Sequence, residues 1–376
     1  MAEIETRIMA TYRVSCEPNM IEARARAISL EQSVELPLEI IDDPAILADI
    51  VGRVHAIDQV KPGLYEVRIE LAAATAPPEP GQLLNILFGN TSLQDDVVLA
   101  DVEFPPGYPE AFGGPHVGIG GLREEIGIFD RALTASALKP QGQSVEALAK
   151  LAGDMARGGL DIVKDDHGLA DQDYSPFSER VAACARAVRE INRATGHRTL
   201  YAPSLSGNLD QLRHQLRTLR NEGIRAALIA PMVVGLPAFH AIAREARDVA
   251  LLAHPSMAGA ARLSPPLLLG RLFRMIGADA IIFPNHGGRF AYSAETCRSI
   301  AQRALERWGK LNPAAPMPAG GMTVDRVPEL LDFYGRDCIL LIGGGLLADP
   351  DRVTEASRAF VGKVRRHGST PEIRVS

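Results

Sequence analysis

From about residue 114 onward, short apolar runs alternate with amphipathic stretches of helical period. Eight runs are visible, at 135–138, 160–163, 199–202, 226–229, 250–253, 280–283, 317–319 and 339–342. Apolar strands separated by helices favour a parallel sheet whose faces the helices cover. Eight repeats over roughly 250 residues are typical of a (β/α)8 TIM barrel. We predict this fold for residues 114–376; a doubly wound open sheet is the alternative and accommodates eight strands less easily.

The first 113 residues have a different pattern. Predicted strands lie at 8–15, 51–57, 65–71 and 97–102, and predicted helices at 21–30 and 83–88. This β-α-β-β-α-β order is that of the ferredoxin-like motif. Proline and glycine in 104–109 and 113–115 indicate a linker. We therefore predict an α/β chain with a ferredoxin-like α+β domain over 1–113 and a TIM-barrel catalytic domain over 114–376.

Composition excludes several classes of protein. The net charge is −6 and no block of Lys or Arg occurs, so nothing favours nucleic acid as a partner. No apolar run reaches the ~18 residues of a membrane span. The acidic start has no apolar signal core, and four scattered cysteines suggest reduced thiols, which predicts a cytoplasmic protein. The cysteines are Cys16, Cys184, Cys297 and Cys338.

The second predicted barrel strand ends in Lys164, Asp165, Asp166 and His167. Residues two apart on a strand project to the same side, so Lys164 and Asp166 converge. A buried strand that ends in four polar side chains predicts a site. A strand end followed by a solvated loop is the structural alternative.

Other strand ends also carry polar residues or glycine. They are Lys139-Pro140, His254, Asn285–Arg289, Gly320-Gly321 and Gly343–Gly345. Singly, such a lysine usually extends to water, a lone histidine is more often part of a core, and two glycines are often only a turn. Together, at the carboxyl ends of barrel strands, they predict an acid/base site that binds a cation. The glycine loops predict a phosphate site, because their N–H groups can approach an anion closely.

In this order and spacing, Lys139-Pro140, Gly159–Asp166 and the two glycine loops resemble the RuBisCO large-subunit superfamily, over nearly the whole chain. The resemblance implies that Lys139 is the base that removes a proton beside the substrate carbonyl. It implies that Lys164 is carbamylated by carbon dioxide and binds magnesium, with Asp166 as a second ligand. It makes His254 an active-site histidine.

The resemblance assigns further roles. Arg289 matches a lysine of the family's mobile loop that contacts the reacting groups. Glu31 and Asn85 match two residues that reach the neighbouring subunit's active site, which implies a homodimer with shared sites. The expected phosphate donors are Gly320, Gly321, Gly343 and Gly344.

The departures from the family are informative. The third metal ligand of the family is a glutamate, and His167 stands at that position. The side chains that hold the second phosphate in true carboxylases are replaced by Pro255, Ile282 and Ala319. Loss of each charge-assisted partner costs on the order of 1.5–3 kcal/mol. The chain is therefore expected to resemble a RuBisCO-like protein without ribulose-bisphosphate carboxylase activity.

The resemblance implies an enzyme that forms an enediolate from a sugar monophosphate. Isomerisation or enolisation of a methylthio-sugar phosphate in sulfur salvage is the expected reaction. A decarboxylase or carbon–carbon hydrolase of an oxo-acid sugar phosphate is the first alternative, and a non-catalytic regulatory relative is the second. An unrelated barrel aldolase, with a Schiff base on Lys139 or Lys164, is a further alternative.

His167 leaves the metal open. Magnesium prefers oxygen ligands, whereas imidazole suits softer ions. The site can hold Mg²⁺ with carbamylated Lys164, Asp166 and additional water, or it can hold manganese, iron or zinc. Alternatively, Lys164 stays a free amine and works without metal. We expect a retained divalent ion, Mg²⁺, with Lys164, Asp166 and His167 as the candidate ligands.

Overall fold

A computed structural model describes residues 7–290 and 292–368 of the chain. It divides into two compact units. The first contains the chain up to Gly113, with the segments Met257–Leu268 and Gly309–Leu311; the second contains the remainder. In the described residues, no helix is long and apolar enough to cross a membrane.

The first unit is built on a four-stranded antiparallel sheet. Its strands are β1 (Arg7–Ser15), β2 (Arg53–Lys61), β3 (Leu64–Ala72) and β4 (Val97–Glu103), and its helices are α1 (Ile21–Glu31) and α2 (Pro80–Phe88). The strand order β2-β3-β1-β4 confirms the predicted ferredoxin-like motif. Alternate residues of β1 are buried, as expected for a sheet covered on one face. The hydroxyl of Tyr12 on β1 donates to the Leu87 carbonyl on α2 at 2.6 Å.

The second unit is a nearly closed parallel barrel. Its strands are β5 (Leu133–Leu138), β6 (Ile162–Asp165), β7 (Leu200–Ala202), β8 (Ser204–Leu205), β9 (Ala226–Ile229), β10 (Ala250–Ala253), β11 (Ala280–Pro284), β12 (Ala315–Ala319) and β13 (Ile339–Leu341). They lie in the order β7-β6-β5-β13-β12-β11-β10-β9-β8. β7 lies within the third predicted run, 199–202, whereas β8 continues beyond it after Pro203, which has no N–H to donate. The barrel prediction is confirmed.

Helices cover the barrel between the strands. They are α3 (Gly118–Ile126), α4 (Val145–Arg157), α5 (Phe177–Thr195), α6 (Leu209–Asn221), α7 (Pro231–Val234), α8 (Leu236–Glu245), α9 (Phe273–Met275), α10 (Ala294–Leu305), α11 (Val327–Tyr334) and α12 (Val353–Gly368). Short 3₁₀ and π segments complete the two units: Leu38–Ile40, Ile46–Ile50, Ala73–Thr75, Asn90–Leu93, Pro109–Phe112, Ala258–Ala260, Pro266–Leu272, Val324–Arg326, Gly344–Leu346 and Pro350–Arg352.

The barrel interior is apolar. It is lined by alternate residues of the strands, which form one buried cluster that includes Ala135, Ile162, Leu228, Leu252, Ile282 and Met317. A charged side chain at the end of such a core is poorly solvated, and this raises the free-energy cost of its ionised form.

β6 begins two residues later than the predicted run 160–163. Asp161, just before the strand, accepts a bidentate pair of hydrogen bonds from Arg131 at 2.7 and 2.9 Å. It also accepts from the amide and the hydroxyl of Thr134, at 2.7 and 2.8 Å. Lys164 and Asp165 therefore lie within the strand itself.

Candidate active site

Lys164 is buried near the end of β6, with 2% of its surface exposed. Its Nζ donates to the Asp165 carbonyl at 2.9 Å. Burial lowers the pKa of Lys164 to about 8, an effect that the Lys139 charge reinforces and the Asp166 charge opposes. A neutral amine, the form that reacts with carbon dioxide, is therefore more abundant than in an exposed lysine.

Asp166 contacts two other predicted site residues, Lys139 and His167. Its Oδ1 lies 2.7 Å from Lys139 Nζ and 3.2 Å from His167 Nδ1. Burial raises the pKa of Asp166, but hydrogen bonds from His167 and Lys139 outweigh burial and hold it well below the usual value. Asp166 is therefore ionised, and its carboxylate can bind a cation or accept hydrogen bonds from Lys139 and His167.

His254 follows β10 and stacks on His167, with ring centroids 4.2 Å apart and planes within 10°. Its Nδ1 lies 2.8 Å from Ser256 Oγ. Burial, with the nearby Lys164 charge, lowers the pKa of His254 to about 2. The structure thus brings together Lys139, Lys164, Asp166, His167 and His254.

Behind the site, Asp165 points into a buried network that the sequence analysis missed. Its carboxylate accepts from Arg180 Nε at 3.1 Å, Tyr201 Oη at 2.7 Å and the Ser204 amide at 3.1 Å. Arg180 also donates to the carbonyls of Ala170 and Ser175, in the loop that follows His167. No local pattern marks Arg180 or Tyr201, which lie on α5 and β7.

The glycine loops after β11 and β12 pack against each other. A Cβ at Gly288 would lie 2.3 Å from the Gly320 carbonyl oxygen, and one at Gly321 would lie 2.8 Å from the Arg289 amide nitrogen. Gly320 and Gly321 also have positive φ, 81° and 68°. Both conditions apply at Gly321, where only glycine fits without strain.

The loop after β13 is open instead. A Cβ at Gly343 or Gly344 would meet nothing within 4 Å. Gly344 shares a cavity of about 470 Å³ with Lys139 and Pro140. A larger cavity of about 740 Å³ lies around the start of α3, and none of the predicted site residues lines it. We take the smaller cavity as part of the site, because it contains the lysine and a glycine loop.

Arg289 is exposed, and its guanidinium lies 5.0 Å from the centre of the Phe290 ring. Its loop starts at Asn285, which is buried. The Asn285 side chain accepts from Tyr334 Oη at 2.6 Å and donates to the His286 carbonyl at 2.9 Å. The start of the loop is therefore fixed, while Arg289 remains free to meet a ligand.

Glu31 and Asn85 lie in the first unit. Glu31, at the end of α1, accepts from Asn90 at 3.0 Å. The adjacent Gln32 donates to the Asn85 carbonyl at 3.2 Å, so α1 and α2 hold the two residues in one region.

Among the described residues, no group of three or more His, Cys, Asp or Glu side chains is arranged to hold a metal ion. Asp166 and His167 alone supply two natural ligands. A carbamate on Lys164 would supply the third. His167 Nδ1 lies 3.2 Å from Asp166 Oδ1, so Nε2 is the ring nitrogen left available to a metal. The donor set fits a divalent ion on the condition that Lys164 is carbamylated.

A TIM barrel with paired lysines, a carboxylate, two histidines and glycine loops at one mouth defines a barrel enzyme of acid–base type. Comparison with known proteins specifies the family. Residues 118–361 match the family described as "Ribulose bisphosphate carboxylase large chain, catalytic domain". The chain belongs to the RuBisCO large-chain family, among its RuBisCO-like members.

Three relatives illustrate this position. The chain is 55% identical to the 5-methylthioribulose-1-phosphate isomerase of Rhodospirillum rubrum, over 95% of this chain and 96% of that one. It is 34% identical to the 2,3-diketo-5-methylthiopentyl-1-phosphate enolase of Geobacillus thermodenitrificans, over 74% and 69% of the two chains. The crystal structure of a RuBisCO-like protein from Rhodopseudomonas palustris superposes with a TM-score of 0.91 at 57% identity, covering 97% of this chain and 99% of that one.

Proposed function

We propose that this protein isomerises 5-methylthioribulose-1-phosphate by removing a proton beside the carbonyl and returning one to a neighbouring carbon. The observation that carries the proposal is the pairing of Lys139 with Asp166 at 2.7 Å, in front of the buried Lys164. Such a cluster suits proton abstraction from carbon. The relative that is 55% identical over almost its full length is named for this isomerisation.

Lys139 is the base in this proposal. Its side chain is 38% exposed, so a substrate can reach it, whereas Lys164 is enclosed. An ammonium group has no lone pair, so Lys139 must give up a proton and its contact with Asp166 before it can act. Lys164 is then the residue that organises the metal.

A divalent ion, which we propose to be Mg²⁺, would be held by carbamylated Lys164, Asp166 and His167. When bound, it would act as a Lewis acid on the substrate oxygens. The lowered pKa of Lys164 supports carbamylation, because the reaction consumes the neutral amine. His167 adds a nitrogen ligand, so Mn²⁺ is the first alternative ion to test.

One phosphate group fits this site better than two. Gly320, Gly321, Gly343 and Gly344 are the proposed donors on one side of the mouth, and Arg289 is the proposed additional cation. On β11 and β12, Ile282 and Ala319 offer only apolar side chains at the positions where the resemblance expects a second phosphate. A substrate with one phosphate and one apolar end suits this division.

We also propose a head-to-tail homodimer in which Glu31 and Asn85 of one chain complete the partner's site. Exposed apolar side chains on the first unit support an interface there; they include Leu36, Ile40 and Leu47. The four free cysteines fit a reducing cytoplasm.

Incubation with 5-methylthioribulose-1-phosphate in deuterated buffer, with Mg²⁺ and bicarbonate, tests the proposal. Wild-type protein should incorporate deuterium at carbon and form an isomer. Lys139→Met should abolish exchange and keep metal affinity, whereas Lys164→Met should lose both. The exposed Lys310→Met is the control. Exchange by Lys139→Met, or unchanged metal binding by Lys164→Met, would show that the assigned roles are wrong.

The enolase reaction is the second candidate, favoured by the relatives named for 2,3-diketo-5-methylthiopentyl-1-phosphate. It needs the same base and differs only in substrate. Turnover of the diketone and not of the ketose would select it. Absence of metal and phosphate binding would favour a non-catalytic protein, and borohydride trapping on Lys139 or Lys164 would favour a Schiff-base aldolase.

A further inference from the structure

The imidazole of His254 has an unusual pattern of contacts. Ser256, two residues later, directs two groups at the same ring nitrogen. The Ser256 Oγ lies 2.8 Å from His254 Nδ1, and the Ser256 amide donates to that nitrogen at 3.2 Å. Within residues 7–290 and 292–368, every hydrogen bond of the ring passes through Nδ1, and none uses Nε2.

These contacts determine where the ring carries its proton. A backbone N–H can only donate, so the nitrogen it approaches must have a free lone pair. If Nδ1 were protonated, two N–H groups would face each other. His254 is therefore neutral with its proton on Nε2, and Ser256 donates through both its amide and its hydroxyl.

The ring is also fixed in orientation. It stacks on His167 with the planes 10° apart, and the Ser256 contacts prevent its rotation about the Cβ–Cγ bond. Nε2 lies at the ring edge away from Ser256. Stacking on His167 places the ring beside Asp166 and Lys139, the residues at which the substrate is proposed to bind.

We propose that His254 acts as a neutral hydrogen-bond donor, through Nε2–H, to the substrate oxygen that becomes negative, and that Ser256 is the positioning residue that selects this tautomer. The inference rests on the proposed function for the identity of that oxygen. Lys139 takes the proton from carbon, and the imidazole keeps its own proton throughout. A preorganised donor at a developing oxyanion typically contributes a factor of about 10²–10³ in rate.

A general-base role for His254 is the opposite assignment. It requires a lone pair on Nε2 and hence a proton on Nδ1, directed at the Ser256 amide. The two assignments therefore predict different protonated nitrogens in the resting protein, before any substrate is added.

The first test is NMR of the full-length protein labelled with ¹⁵N-histidine. Long-range ¹H–¹⁵N correlation distinguishes protonated from unprotonated ring nitrogens, and comparison with His254→Gln assigns the signal among the nine histidines. We expect Nδ1 unprotonated and Nε2 protonated. Ser256→Ala should shift the Nδ1 signal, and Ser256→Thr, which keeps the hydroxyl, should not. A protonated Nδ1 in the wild type would overturn the inference.

The second test is kinetic, with 5-methylthioribulose-1-phosphate. His254→Gln, which keeps an N–H donor, should retain about a tenth of wild-type kcat, and His254→Leu should lose a factor of about 10²–10³. Ser256→Ala should lower kcat roughly tenfold with KM within about twofold, and Ser256→Thr should recover it. The exposed Ser178→Ala is the control. Equal loss in the Gln and Leu variants would refute the donor role.

The two hypotheses can fail separately. If the wild type does not turn over this substrate, the proposed function is wrong, and the NMR measurement still decides the tautomer. If the wild type is active but Nδ1 carries the proton, only the inference about His254 and Ser256 is wrong.

Discussion

Replacing Lys164 by methionine should stabilise the metal-free protein while it destroys the site. Methionine has a similar length and no charge, so it fills the same space at the end of the apolar barrel interior. Natural active sites often reduce stability in this way, because groups needed for chemistry are held in unfavourable surroundings.

The magnitude follows from the titration of Lys164. Its pKa falls from 10.5 to about 8 on folding. At 1.36 kcal/mol for each tenfold change, burial of the ammonium costs roughly 3 kcal/mol at pH 7. The variant also loses the 2.9 Å hydrogen bond to the Asp165 carbonyl, which contributes about 1 kcal/mol. The expected net gain in the free energy of unfolding is therefore about 2 kcal/mol.

The gain should depend on pH with a definite sign. Between pH 8 and 10.5 the unfolded chain binds a proton at Lys164 that the folded chain has released, so wild-type stability rises with pH across this window. Below pH 8 the penalty is complete, and above 10.5 it is absent. The advantage of Lys164→Met should thus be largest at pH 7 and much smaller at pH 10.

Urea unfolding in EDTA and carbonate-free buffer measures this difference. The single tryptophan, Trp308, lies in the barrel unit and reports its unfolding by fluorescence. Lys310→Met, at an exposed lysine, is the control and should change little. A Lys164→Met variant less stable than wild type at pH 7, or a gain that stays constant up to pH 10, would refute the reasoning.

Three further results are expected. Asp161→Ala should lower the free energy of unfolding in urea by about 3–5 kcal/mol, because it leaves Arg131 buried without its carboxylate partner. Asp58→Ala, at the exposed pair with Arg68, is the control, and an equal loss of stability in both variants would contradict this expectation. Ribulose bisphosphate with labelled bicarbonate should yield no phosphoglycerate above a Lys164→Ala background, and product above it would be contrary evidence. Mixing inactive Lys139→Met and Glu31→Ala chains should restore about a quarter of wild-type activity if dimers share sites. Half of the dimers are then mixed, and each mixed dimer has one intact site. No recovery of activity, or an active monomer by light scattering, would exclude that assembly.

Much of the fold follows from local pattern. The strands at 226–229 and 250–253 match the prediction residue for residue, because short buried parallel strands are continuous apolar runs. β6 was misplaced by two residues, since its start depends on the buried contact of Asp161 with Arg131, thirty positions away. Likewise, the interruption at Pro203 depends on how the third strand pairs with its two neighbours.

The candidate site was predictable to the extent that it lies at strand ends. The sequence predicts that Lys139, Lys164, Asp166 and His254 lie close together, because barrel topology brings the carboxyl ends of strands together. Arg180 and Tyr201 were not found, because a buried donor on a helix or strand has no sequence signature of its own. Ser256, the hydrogen-bond partner of His254, is only two residues away in the sequence. The structure is needed to show that the amide and the hydroxyl of Ser256 contact the same ring nitrogen.

β6 also bears on evolvability. At its amino end, Asp161 and Arg131 lock the strand to its neighbour; at its carboxyl end, Lys164, Asp166 and His167 face the mouth. The two ends thus make their contacts through different residues. A lineage built on such a strand can exchange a residue at the mouth, such as the proposed metal ligand His167, while the barrel stays folded. New reactions can then arise by single substitutions, because selection acts on the activity of a protein that is still folded.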